Sequence, residues 1–130
     1  MHETPTLLTE PAGILRIFMT SASRAQSRQQ KPFTRLFQRR PLYRDIVHAV
    51  RAAGFTCSNA HFAHYGFWRS GEIQQTLGEI PNTLLSVYVD ILGDHEQLQA
   101  FCLSHEALLR GTSLYFKPAE SWRFGMQPTP

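Results

Sequence analysis

Cysteine is scarce in this chain, with two in 130 residues. Neither Cys57 nor Cys102 has a CxxC partner or a Cys/His cluster about it, which excludes a disulfide framework or zinc module and leaves two buried, reduced thiols. Long apolar runs are missing too. None approaches the roughly 18 residues of a membrane span, so membrane insertion is not expected. The opening MHETPTLLTEPAG is acidic and carries no basic leader ahead of an apolar core. No secretory signal is therefore expected, and the cytoplasm is the default location. There is no Walker-type or GxGxxG loop. No Ser/His/Asp or Cys/His grouping has a spacing that argues nucleophilic catalysis, and Asp90 and Asp94 read as a strand end and a helix cap. His61 and His64, three apart on a predicted strand, point to opposite faces and read as polar or interface histidines, not as metal ligands. An enzyme is not expected.

Acidic residues are absent from one long stretch, between Glu10 and Asp45. Seven of the 13 basic residues crowd into its 24–44 portion: Arg24, Arg28, Lys31, Arg35, Arg39, Arg40 and Arg44. The net charge is only +3, so the rest of the chain is mildly acidic. Such asymmetry points to an anionic partner, whether nucleic acid, nucleotide or lipid surface, or else to a solvated loop that aids solubility.

What is present reads as alternating strands and helices. Residues 1–12 are expected to form a flexible arm. ILRIFMT (14–20) is a strand with Leu15, Ile17 and Met19 on one face. Residues 21–40 form a polar, basic insertion that is long for a compact domain, with Phe33, Leu36 and Phe37 available to anchor a turn of helix. In PLYRDIVHAVRAAG, Leu42, Ile46, Ala49, Val50 and Ala53 make one apolar helical stripe. Pro41 suits the first helical position and Gly54 the left-handed stop. A second strand spans 56–65, and its apolar side changes midway, as across a β-bulge. A loop follows over 66–82, with a turn of helix expected around 73–77. TLLSVYVDIL (83–92) is the clearest strand, with Leu85, Val87, Val89 and Ile91 on its core face. Asp94 with Gln97 forms a capping pair for a helix whose stripe is Leu98, Phe101, Cys102, His105, Leu108 and Leu109, stopped at Gly111. Residues 112–117 make the fourth strand. Residues 118–130 are expected to be an irregular tail.

The order βαββαβ predicts an α+β, ferredoxin-like domain over 13–117: a four-stranded antiparallel sheet with both helices on one face. The other face, carrying Ile14, Phe18, Leu84 and Tyr88, would then be bare, and self-association is the simple way to bury it. The motifs ILRIFMT, PLYRDIVHAVRAAGF, YGFW, IPNTLLSVYVDI and HEQLQAF, in that order, resemble the small PII-like proteins of unknown function, relatives of the nitrogen-regulatory PII signalling proteins.

The resemblance implies a homotrimer with clefts between subunits that take a small anionic ligand. An adenine nucleotide is the candidate. Gly66 and Phe67 match the Gly-Phe that precedes the phosphate-binding backbone. The 66–82 loop matches the flexible loop that engages a transporter or enzyme, and Arg110 falls at a turn bordering the same cleft. Trp68 stands where the family has a second glycine, placed either to stack a base or to plug the cleft. The ligand-binding set is therefore Gly66, Phe67, Trp68, Arg69 and Arg110. Arg39 and Arg40 join it because they precede a helix start, whose unpaired N–H groups also favour an anion. A non-enzymatic regulatory protein is the expectation. The alternative is a sequence-tolerant nucleic-acid binder that uses the basic 24–44 segment, where arginines alternate with Phe33 and Phe37.

Overall fold

Alternation along two strands decides which side of this protein is covered. The computed structural model describes residues 4–23, 40–69, 71–76 and 82–125. The elements in order are β1 (Thr6–Thr20), α1 (Leu42–Ala52), β2 (Cys57–Phe62), β3 (Tyr65–Gly66), β4 (Gln74–Gln75), β5 (Ser86–Gly93), α2 (His95–Ser104), α3 (Glu106–Leu109) and β6 (Ser113–Gly125). The main sheet has the order β2-β5-β1-β6, antiparallel throughout. Leu15, Ile17 and Met19 of β1, with Val87, Val89 and Ile91 of β5, are buried against Leu42, Ile46 and Val50 of α1 and Leu98 and Phe101 of α2. Both helices thus lie over one face, as the periodicity predicts, because a period of two on the strands meets a period of 3.6 on the helices.

Among the described residues, no helix lies over the opposite face. Register places Arg16 beside Asp90 and Phe18 beside Tyr88, with His61 and Tyr115 on the flanking strands. Arg16 donates two hydrogen bonds to the Asp90 carboxylate, at 2.8 and 2.9 Å. Tyr88 takes the Arg16 guanidinium at 4.3 Å and a stacked His61 ring at 4.8 Å. Phe18 lies against both Tyr88 and Tyr115. His61 is therefore an open-face stacking residue. Among the described residues, no group of His, Cys, Asp and Glu could hold a metal ion.

Several boundaries differ from the sequence reading, each for a local reason. The first strand begins at Thr6, not at residue 14, and the fourth runs on to Gly125. The expected arm and tail pair with each other, Thr6 opposite Gly125 through Ala12 opposite Ala119, so each supplies the partner the other lacks. Pro41 is the N-cap of α1, one residue before the helix, with extended ψ. Gly54 is left-handed (φ 91°) as expected. Its N–H donates to the Arg51 carbonyl and that of Phe55 to the Val50 carbonyl, the paired bonds of a Schellman stop. Helix α2 ends at Ser104 because His105 leaves helical geometry, its ring stacked on Phe101 and its Nδ1 3.0 Å from the Phe101 carbonyl. Gly111 is not the left-handed stop, and α3 closes on Arg110. Asp94 does cap α2, its Oδ1 accepting from the Gln97 N–H at 2.7 Å. Among the described residues no helix is long and apolar enough to cross a membrane.

Candidate functional site

Four connections gather at one end of the sheet: the exit of β1, the exit of β2, the entry to β5 and the entry to β6. Backbone bonds tie them together. Leu42 at the start of α1 donates to the Ser23 carbonyl, Ala22 to Thr83, and Ala63 to Ser86.

After Ala63 the chain leaves the main sheet. The change of face read as a bulge is instead a departure: Tyr65 and Gly66 pair with Gln75 and Gln74 in a separate two-stranded sheet. The turn of helix expected around 73–77 is therefore a strand over Gln74–Gln75. Asn82 pins its return. Its side-chain amide donates to Gln74 Oε1 at 3.0 Å and to the Gln75 carbonyl at 3.1 Å. Its Oδ1 accepts from the Leu84 N–H, an Asx-type turn that delays strand pairing until Ser86.

Between the two short strands stand Phe67, Trp68 and Arg69. Phe67 is exposed and Trp68 half-buried. Arg69 takes up φ 60°, uncommon for a residue with a side chain. Its guanidinium lies 4.5 Å from the Trp68 ring and donates to Ser113 Oγ at 2.8 Å and to the Thr112 carbonyl at 3.5 Å. Thr112 is in turn bonded to the Leu109 carbonyl through its hydroxyl. The Gly66 loop and the turn after Arg110 are thus physically joined, at 43 and 44 residues' separation, through one arginine.

The other sequence-predicted residues are placed less tightly. Arg110 is exposed and pairs with Glu106 one helical turn back. Arg40 lies just before α1 and approaches Asp45 of its first turn at 3.9 Å. Both arginines are solvent-exposed, and such surface pairs are worth about 0–1 kcal/mol and easily exchanged for another anion. Arg69 instead donates to neutral acceptors, so no carboxylate in those bonds neutralises its charge. Arg39 and the rest of the basic insertion from Arg24 lie outside the described residues, as do residues 70 and 77–81 of the loop. Sequence reasoning missed Ser113, because a serine opening a strand carries no signal of its own. It also missed the Arg16–Asp90 pair, for which opposite charges at matching points of two apolar strands were the available signal.

The backbone fold is similar to those of solved structures. A protein from Thermus thermophilus described as a PII-like signalling protein superposes with a TM-score of 0.53 over 88% of this chain and 91% of its own, at 10% identity. The apo form of CPII, a nitrogen regulatory PII-like protein from Thiomonas intermedia K12, gives 0.51 over 91% and 99%, at 9% identity. This chain has the PII-like fold. A structure of CPII bound to ADP, AMP and bicarbonate also matches, at a TM-score of 0.51 and 10% identity over 89% of this chain and 91% of that one. No protein-family model matches the sequence, and no curated protein matches it. The PII-like fold is therefore carried here by backbone architecture at a sequence identity too low to transfer residue roles.

Proposed function

We propose that this protein is a non-enzymatic, PII-like regulatory protein that binds a small anionic ligand at the sheet end formed by the Gly66 loop and the turn before β6. The observation that carries the reading is the Arg69 bridge. It sets a guanidinium between the two segments that border the ligand cleft implied by the PII-like resemblance. Gly66, Phe67, Trp68, Arg69 and Arg110 line the site, and Arg39 and Arg40 supply charge beside the start of α1. An adenine nucleotide is the first ligand to test, since CPII, of the same fold, has been solved with ADP and AMP. Its phosphates would draw Arg69 from Ser113, and Trp68 would offer its ring to the base. The cleft lies between subunits of a homotrimer whose open sheet faces pack together. The 66–82 loop presents the bound state to a transporter or enzyme partner in the cytoplasm.

The nucleic-acid alternative draws no support from the described residues, since only 40–44 of its basic segment are among them.

Native mass spectrometry of the freshly purified protein, followed by calorimetry with ADP, AMP and ATP, tests the reading. Saturable binding of one nucleotide per subunit is expected. If no nucleotide binds, while random oligonucleotides bind with a steep salt dependence, the nucleic-acid reading takes its place.

A further inference from the structure

On the helix side of the β6 edge, starting one residue beyond Ser113, the described residues leave an apolar trough and, further along the same strand, an apolar projection. The trough, about 390 Å³, lies where α2 fails to cover the β6 edge of the sheet. Leu98, Cys102 and Leu103 form one wall, and Leu114 and Phe116 the other. Leu103 is 80% exposed, an unusual state for a leucine beside other apolar groups. Gly13 helps make the trough: the Phe116 ring lies across it, in space that any Cβ would occupy.

The projection is the ribbon that β1 and β6 form beyond Gly13, where β5 has ended. Two strands alone are marginal in water. Register puts Leu7, Trp122 and Phe124 on one side of it, with Leu7 directly opposite Phe124. Trp122 is 62% exposed and Phe124 78%.

We infer that the ribbon of one copy of this chain seats Trp122 and Phe124 in the Leu98–Leu103–Leu114–Phe116 trough of another. The same copy cannot fill its own trough. Phe124 lies eight residues beyond Phe116 on a single strand, roughly 26 Å away at about 3.3 Å per residue. Strand-to-strand addition along the β6 edge is disfavoured by Lys117, Pro118 and Glu120 at its middle, which leaves contact through side-chain faces. The area is adequate. With an aromatic side chain presenting about 150–250 Å², the six exposed apolar side chains of ribbon and trough leave on the order of 600 Å² per copy, near the roughly 800 Å² per partner of a standard interface when the pair is reciprocal; in a ring this area is divided between two contacts. Each copy has one ribbon and one trough, so the contact closes as a reciprocal pair or a head-to-tail ring. It does not rest on the ligand reading.

Cys102 in the trough supplies the test. Burial pushes its thiol above the ordinary value, so a more exposed thiol on the ribbon would provide the attacking thiolate. Full-length chains carrying Cys57→Ser with either Trp122→Cys or Phe124→Cys are treated with diamide and run on a non-reducing gel. At least one should give inter-chain cross-linked species that vanish when Cys102→Ala is added. A ladder ending at two chains marks the reciprocal pair, and one continuing to three marks the ring; both support the contact. In a disulfide-free check, Leu103→Glu and Trp122→Ser should each weaken self-association at least tenfold by analytical ultracentrifugation, with unchanged circular dichroism. Cross-links that survive Cys102→Ala, cross-links that never form, or association untouched by either substitution would overturn the inference.

Discussion

At the scale of single residues, Arg69 holds the greatest share of the functional reading. A side-chain residue at φ 60° costs roughly 1 kcal/mol or more, and here that conformation delivers the guanidinium to Ser113 and the Trp68 ring. Arg69→Ala is expected to reduce nucleotide affinity at least tenfold, about 1.4 kcal/mol. Its melting temperature should hardly move, since the lost bonds are solvent-exposed. Arg69→Lys keeps the charge but loses the planar fork that reaches two acceptors, so it should recover only part of the affinity. The double substitution of Arg39 and Arg40 by Ala should act in the same direction, again without loss of thermal stability. Calorimetry beside thermal melting separates the two quantities. Affinity unchanged in all three variants would reduce the arginines to solvated surface charge.

Among the elements, the two long helices end and begin on residues whose identity the backbone demands. Gly54→Ala puts a Cβ on a residue at φ 91°, where nothing crowds it, so the cost is conformational and comes to about 1 kcal/mol. Asp94→Ala removes the acceptor for the Gln97 N–H and should also cost about 1 kcal/mol. The sites lie on different helices with no shared partner, so the double variant should show their sum within about 0.5 kcal/mol in urea titrations. A double variant no less stable than either single one would mean that the caps share a partner not visible in their local geometry.

For the whole molecule, the proposed assembly is tested at the open face. Phe18, Tyr88, Tyr115 and His61 form an aromatic cluster around the Arg16–Asp90 pair, on a surface that no helix among the described residues covers. With Leu103→Glu removing the ribbon contact, multi-angle light scattering at micromolar concentration should give the mass of three chains. Adding Tyr88→Glu, which sets a second carboxylate beside Asp90 in the middle of that face, should release monomers. A monomeric parent protein would remove the intersubunit cleft, and with it the place where the nucleotide is proposed to bind.

The amino-acid order by itself determined the succession of the four main-sheet strands and the two main helices, the core faces of β1 and β5, and the positions of both main caps. Those follow from periods of two and 3.6 and from local chemistry at Gly54 and Asp94, all of which act within a few residues. It did not determine where β1 and β6 end. Residues 6–12 and 118–125 have little strand character alone and become strands only because chain topology lays one beside the other, more than 100 residues apart in sequence. The same holds for the candidate site. Gly66 and Arg110 could be singled out from sequence, but the bond that unites their segments runs from Arg69 to Ser113, and only a folded sheet brings those two within 3 Å. Pairings that local sequence does not encode become legible when tertiary structure has met the entropy of closing so long a loop.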